Sequence, residues 1–280
     1  MKKGVNRMNN IRQPAVAGLF YPSDAHKLRT DVKNMLLASE SDLDISRVFG
    51  IVSPHAGYIY SGGTAAFGFN LLKNKKYNKV IIISPSHREY FPGNSIYNGD
   101  AYQTPLGLVN IDKELAQKIV EGSKTVFLGM EGHRQEHAVE VQIPFLQTVL
   151  TDFKIVPIVM GDQTKAYVDD LASQIAKAVD DDTVVVASYD LSHFYSKQKA
   201  FQLDSIVAKH ISDFDYDKLQ NDLDTRKCEA CGGGPIVALM KAAALLDKKK
   251  SVVLNRSDSG DVSGDNSEVV GYLSAAIYGD

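Results

Sequence analysis

The sequence predicts an α/β fold: a single layered domain whose central sheet, mostly parallel or mixed, is flanked by helices. Two patterns carry that expectation. Short runs rich in Val and Ile alternate with amphipathic stretches, the order expected of a layered α/β domain. Three of the apolar runs also stop at a serine and then deliver a histidine: Ile51-Val52-Ser53-Pro54-His55, Ile81-Ile82-Ile83-Ser84-Pro85-Ser86-His87 and Val184-Val185-Val186-Ala187-Ser188-Tyr189-Asp190-Leu191-Ser192-His193. Continuous runs of this kind read as buried parallel strands, and ligands of open α/β sheets bind just beyond the carboxyl ends of such strands. His55, His87, Asp190 and His193 are therefore expected to meet at one edge of the sheet.

Taken in order, strands are expected over residues 48–53, 79–84, 154–160, 183–188, 252–255 and 269–277. Helical patterns cover about 24–39, 63–73, 112–121, 139–150, 165–179, 196–212 and 235–246. Asp112 suits an N-cap, with Leu115 and Ile119 then sharing one apolar face. Pro144 removes a backbone donor and clashes with the preceding turn, so the 139–150 helix is kinked or begins near it. The stretch 57–63, with three glycines, reads as a strand-to-helix turn, open between close helix packing and anion binding. Residues 221–234 carry charge, both cysteines and three glycines before Pro235, and read as a loop entering a helix N-terminus. The polar stretch 257–265 is expected to be a surface loop or a lid.

With 280 residues, 44% hydrophobic and 23% charged, the chain can bury a substantial core. One domain over 14–280 is expected, preceded by a flexible N-terminal tail over 1–13. A formal charge of −3 and an isoelectric point near 6.2 give no long-range attraction to nucleic acid or anionic membranes, so neither is an expected partner. The positively charged start is not followed by an apolar stretch, and no run approaches the roughly 18 apolar residues of a membrane span. A cytoplasmic protein is expected. Cys228 and Cys231 lie too close together to staple a fold of this size, and a reducing compartment keeps them as thiols.

Neutral imidazoles suit iron, zinc and copper, and rigid strand ends hold ligand geometry well, so the histidine pattern points to a metal or acid/base site. His133 and His137 share a face if their segment is helical. Their glutamate, Glu136, adjoins the second histidine, which is not the His-Glu-x-x-His spacing of zinc peptidases. His133 is expected at the surface or in a supporting role, and His137 is the better site candidate. Cys231 precedes Gly232-Gly233-Gly234-Pro235 at a helix start, where a thiol can become a ligand or nucleophile; an inert buried cysteine is the open alternative. Half a zinc ribbon with no second pair argues against structural zinc. Asp190 reads as an orienting partner for a histidine, and no Gly-x-Ser-x-Gly elbow supports a hydrolase built on Ser192. Tyr21, Tyr58 and Tyr189 are candidates for stacking in a cleft or for the core.

The ordered motifs Pro14-Ala15-Val16-Ala17-Gly18-Leu19-Phe20-Tyr21-Pro22, Pro54-His55-Ala56-Gly57-Tyr58-Ile59-Tyr60-Ser61-Gly62, Ser84-Pro85-Ser86-His87, Glu136-His137-Ala138-Val139-Glu140-Val141-Gln142-Ile143-Pro144-Phe145, Ser188-Tyr189-Asp190-Leu191-Ser192-His193 and Cys231-Gly232-Gly233-Gly234-Pro235-Ile236 resemble the Memo family. The resemblance runs from about Pro14 to the end. It implies the fold of class III extradiol dioxygenases, the nonhaem iron enzymes that cleave catechol rings. It places His55, His87 and Cys231 at metal-binding positions and Asp190 and His193 in the same cleft as catalytic residues. His137, Glu136 and Tyr58 are then expected to support the metal or to contact substrate. Iron (Fe2+) is the first metal the resemblance implies, with copper or zinc as alternatives. A thiolate where ring-cleaving relatives carry a carboxylate makes the site softer and shifts its redox potential. The implied function is a metal-dependent oxidoreductase acting on a small molecule, possible aromatic substrates included, with His193 as general acid/base. Two alternatives stand beside it. One is a non-catalytic module binding a peptide, as for the animal member known as a signalling adaptor. The other is a component of a modification pathway shared with radical-SAM and AMMECR-type proteins.

Overall fold

The computed structural model describes residues 10–40, 43 and 45–279. In chain order the elements are β1 (Ile11–Arg12), α1 (Ala25–Ala38), β2 (Val48–Ser53), α2 (Tyr58–Asn70), β3 (Lys79–Pro85), β4 (Asn94–Tyr97), β5 (Ala101–Thr104), β6 (Gly107–Asn110), α3 (Lys113–Val120) and β7 (Val126–Gly129). A 3₁₀ turn (Glu140–Gln142) leads into α4 (Ile143–Val149), followed by β8 (Lys154–Met160), α5 (Lys165–Ala178), β9 (Thr183–Ser188), β10 (His193–Tyr195), α6 (Lys197–Ser212), α7 (Tyr216–Asp224), α8 (Gly233–Leu245), β11 (Lys250–Asp258), α9 (Gly260–Ser263) and β12 (Val269–Tyr278).

The main sheet runs β10-β12-β2-β9-β3-β8-β4-β7, with β11 paired to β12, and a small sheet runs β1-β5-β6. The four central strands β2, β9, β3 and β8 are parallel, while β12 and β4 pair antiparallel at either side of them. The sheet is therefore mixed, with helices on both faces. Ile81, Ile83, Val185 and Ala187 point into one core with residues of α3, α5, α6, α7 and α8. Val80, Ile82, Val184 and Val186 point the other way, into a core with residues of α1, α2 and α4. Because successive residues of a strand face opposite sides and both sides are covered, every position must be apolar, which is why these strands read as unbroken Val/Ile runs. Helix α8 is apolar on nearly all sides because it is buried along most of its length. Gly50 in β2 admits it: a Cβ there would sit 2.4 Å from Leu239 Cδ1 and 2.7 Å from the Val185 carbonyl oxygen.

The four central strands and β12 coincide closely with the expected ranges, and β11 extends the expected 252–255 in both directions. Asp112 caps α3, accepting from Leu115 N at 3.0 Å. Pro144 sits in the first turn of α4, directly after the 3₁₀ turn. Three expectations are corrected. Helix α2 begins at Tyr58, so Gly62 and Gly63 lie inside it and are not a turn; a Cβ on Gly62 would be 2.5 Å from Met35 Sδ, so this glycine serves the contact with α1. The expected loop over 221–234 starts within α7, whose N-cap Asp215 accepts from Lys218 N and whose Leu219 is buried. Residues 11–12 are not tail: they pair in parallel with β5, while residues 1–9 lie outside the described residues. The 257–265 stretch is the end of β11, then α9 and a left-handed turn at Gly264. No described helix is long and apolar enough to cross a membrane.

Candidate metal centre

Strands β2, β9 and β3 are neighbours with their carboxyl ends aligned, Ser53 opposite Ser188 and Ile83 opposite Ala187. His55, Asp190 and His87 follow these ends directly. His137 arrives by a different route, from the irregular segment between β7 and the 3₁₀ turn. The imidazoles of His55, His87 and His137 converge, one ligand atom from each lying within 4.8 Å of the others. Their rings meet edge-on or tilted, with centroids 5.0, 5.3 and 4.7 Å apart for the pairs 55/87, 55/137 and 87/137.

Two of the rings have their far nitrogens committed. The Ser188 hydroxyl donates to the Ala138 carbonyl at 2.7 Å, so its oxygen must accept from His55 Nδ1 at 3.0 Å and from Gln142 Nε2 at 2.9 Å. This assigns the proton of His55 to Nδ1 and makes Nε2 an acceptor, which faces the Cys231 thiol at 3.2 Å. His87 Nδ1 donates to Glu136 Oε1 at 2.9 Å. His137 Nδ1 is buried and makes no hydrogen bond among the described residues, but lies 3.3 Å from Glu136 Oε1. Burial pushes His55 well below the usual histidine range, reinforced by the neighbouring imidazoles, and pushes His137 down to about 4 against the opposing pull of Glu136. Neutral rings with available lone pairs are what a cation requires of its ligands.

Glu136 is the hinge of this arrangement. Burial alone would raise its carboxyl, but hydrogen bonds from His87 Nδ1, the His87 amide and the Ala138 amide hold it below the usual range. The His137 amide adds a fourth donor at 2.9 Å. Cys231 borders the cluster at His55, its Sγ 3.2 Å from Nε2, and accepts from the Asp190 amide at 3.1 Å. Burial drives this thiol well above its ordinary pKa, which favours the inert buried cysteine of the two alternatives in the absence of a metal. His193 is partly exposed and shares with Cys231 an open groove of about 480 Å³. Burial, with His87 nearby, lowers its pKa, so it is neutral near pH 7.

The structure thus brings His55, His87 and His137 into one cluster and sets Cys231, Asp190 and His193 around it. Asp190 does not orient His193: its Oδ1 accepts from the His55 amide at 2.8 Å, and its Oδ2 lies 3.8 Å from His55 Nε2. Burial raises its carboxyl to about 7. Tyr58 is not free for substrate, because its hydroxyl donates to the Val141 carbonyl at 2.6 Å and its ring packs on Phe145. Tyr21 and Tyr189 are likewise committed, to Glu140 and to the Leu273 carbonyl. His133 is fully buried and not at the surface, its Nδ1 bonded to the Tyr102 hydroxyl and its Nε2 to the Ser95 carbonyl. Its segment is not helical, so the four-residue spacing does not put it beside His137. Ser188 and Gln142 escaped sequence reasoning; their one signal was a serine ending the strand next to the one that delivers His55.

The Memo-like protein family profile matches residues 12–276. A MEMO1 family protein of Thermoplasma volcanium is 38% identical over 265 residues, covering 94% of this chain and 97% of the relative. One from Methanobrevibacter smithii is 37% identical, covering 94% and 98%. Among solved structures, an uncharacterized protein from Escherichia coli K12 superposes with a TM-score of 0.57 at 15% identity, over 82% of this chain and all of that one, a likeness of fold alone. With the motifs around His55, His87, Glu136, Asp190 and Cys231 lying inside the matched span, the chain belongs to the Memo family.

Proposed function

We propose that this protein is a metal-dependent oxidoreductase of dioxygenase-like type, holding iron, or alternatively copper or zinc, and acting on a small, aromatic substrate. The observation that carries this reading is the convergence of three imidazoles, one ligand atom of each within 4.8 Å of the others, with His55 Nδ1 anchored on Ser188 and His87 Nδ1 on Glu136. His55, His87 and His137 would hold the metal, with Cys231 as a neighbouring soft donor. A redox-active ion supplies there the electron transfer that amino-acid side chains lack.

The chain's own groups then have separate tasks. Ser188 and Glu136 orient the rings and raise their basicity. His193, neutral and beside the groove, can take a proton from a substrate hydroxyl. Asp190 fixes the His55 backbone.

Elemental analysis of protein purified without a metal-affinity tag tests the reading, for wild type beside His55→Ala, His137→Ala and Cys231→Ala. The expected result is near-stoichiometric iron or copper in wild type and its loss in both histidine variants. Wild type that carries no metal and takes up neither added Fe(II) nor copper would instead favour a non-catalytic binding module or a pathway component.

A further inference from the structure

We propose that Arg12 is a positioning residue for the His87 and His137 side of the centre, acting through the backbone of Glu136. The inference rests on reading the histidine cluster as a metal site. Among the described residues, Arg12 makes no hydrogen bond to any of the three imidazoles. Its guanidinium donates to the Glu136 carbonyl through Nη2, to the His133 carbonyl through Nε at 3.2 Å, to the Gln13 carbonyl through Nη1 at 3.1 Å and to the Glu140 carboxylate. Two of those acceptors are the ends of the 133–136 segment, which lies in no helix or strand.

Glu136 is thereby held from two sides. Its carbonyl faces Arg12, while its carboxylate receives the His87 ring, the His87 amide and the amides of His137 and Ala138. A displacement of the Glu136 backbone would therefore move His137 and release the clasp on His87 together. No ladder of backbone hydrogen bonds prevents such a displacement here, so the guanidinium replaces what a helix or strand would provide. It is itself fixed from below: Arg12 pairs with Tyr102 across β1 and β5, and its Cζ lies 5.1 Å from the centre of the Tyr102 ring.

The charge is balanced within the same unit. Glu140 is fully buried and accepts from Arg12, from the Ala15 and Val16 amides at 2.8 and 3.1 Å, and from the Tyr21 hydroxyl. A planar fork of five donors reaches four separate acceptors, whereas lysine offers three donors from one point, so the identity of the cation matters as well as its charge. Sites of this kind tolerate displacements of only about 0.5 Å.

The test compares wild type with Arg12→Lys and with Tyr21→Phe, which removes one Glu140 donor and leaves the bonds from Arg12 to 133–136 intact. In metal-free protein, native-state hydrogen exchange at the amides of His87, His137 and Ala138 should accelerate at least tenfold in Arg12→Lys. Amides of β9 should be unchanged, and Tyr21→Phe should match wild type at all of them. Titration with Co(II) should show at least tenfold weaker binding and an altered visible spectrum in Arg12→Lys. Exchange rates and Co(II) affinity equal to wild type overturn the proposal. Acceleration that includes β9 to the same degree also overturns it, because it reports a purely structural role. If Arg12→Lys does not fold, the charge-neutral Arg12→Gln/Glu140→Gln protein is read in the same way. Failure of wild type to bind Co(II) would sink the metal reading, while the exchange measurement still decides whether Arg12 positions the segment.

Discussion

At the residue scale, the tautomer of His55 is set by a serine. Ser188 Oγ is buried with its one proton spent on the Ala138 carbonyl, so it presents only acceptor capacity to His55 Nδ1 and Gln142. Replacing it by alanine strands His55 Nδ1 and the Ala138 carbonyl, while Gln142 Nε2 keeps its bond to the Pro54 carbonyl. Ser188→Ala is expected to lose about 1–3 kcal/mol in urea unfolding, the cost of buried polar groups left unpaired. Freed to carry its proton on either nitrogen, His55 should also bind metal about 10–100-fold more weakly, the usual cost of removing a partner behind a ligating histidine. A Co(II) titration checks the second effect; unchanged affinity would mean that another group sets the ring.

At the element scale, the place of Cys231 depends on how closely the turn before α8 lies on the end of β9. Gly232 makes that approach: a Cβ there would be 2.4 Å from the Ser188 carbonyl oxygen and 2.6 Å from Tyr189 Cβ. One of those neighbours is backbone and cannot swing aside. Gly232→Ala should push the turn off the strand, at about 1–3 kcal/mol for overpacking. The Cys231 thiol would then lose its contacts with His55 and the Asp190 amide. In a Cys228→Ser background, reaction with a disulfide reagent is expected to be at least tenfold faster than without the Gly232 change. An equal rate would show that the turn absorbs the methyl group without moving the thiol.

At the scale of the whole molecule, buried histidines couple stability to acid. Burial pushes His133 down to about 3 and His137 down to about 4, so over the interval up to about 6.5 the unfolded chain binds protons that the native chain refuses. Their contribution is fully present above pH 6.5 and is lost as pH falls, at up to about 1.4 kcal/mol per pH unit for each. Asp190 and Asp204, raised by burial to about 7 and about 6, act with the opposite sign: the native chain keeps protons that the unfolded chain releases, so their contribution is lost as pH rises. The two sets oppose each other between pH 4 and 6. His133→Gln should remove one proton from the balance and flatten the fall in stability between pH 6 and 4, in urea unfolding with a chelator present. A slope identical to wild type would mean that His133 takes up its proton in the native state.

The sequence by itself determined the layered architecture, because a strand covered on both faces must be apolar at every position and so announces itself as an unbroken run. It also determined that His55, His87 and Asp190 share an edge, since each follows the carboxyl end of such a strand within two residues or so. It could not place the short strands β4 to β7 or β10, which carry no periodicity over three or four residues. Nor could it show that His137 joins the cluster, that Asp190 serves His55 and not His193, or that Tyr58 belongs to the core. Those outcomes were decided by tertiary structure alone, because a segment without helix or strand has no local rule for its direction. Such a segment lies where distant groups pull it, here Arg12 from the first strand and His87 from the loop after the third, both holding Glu136.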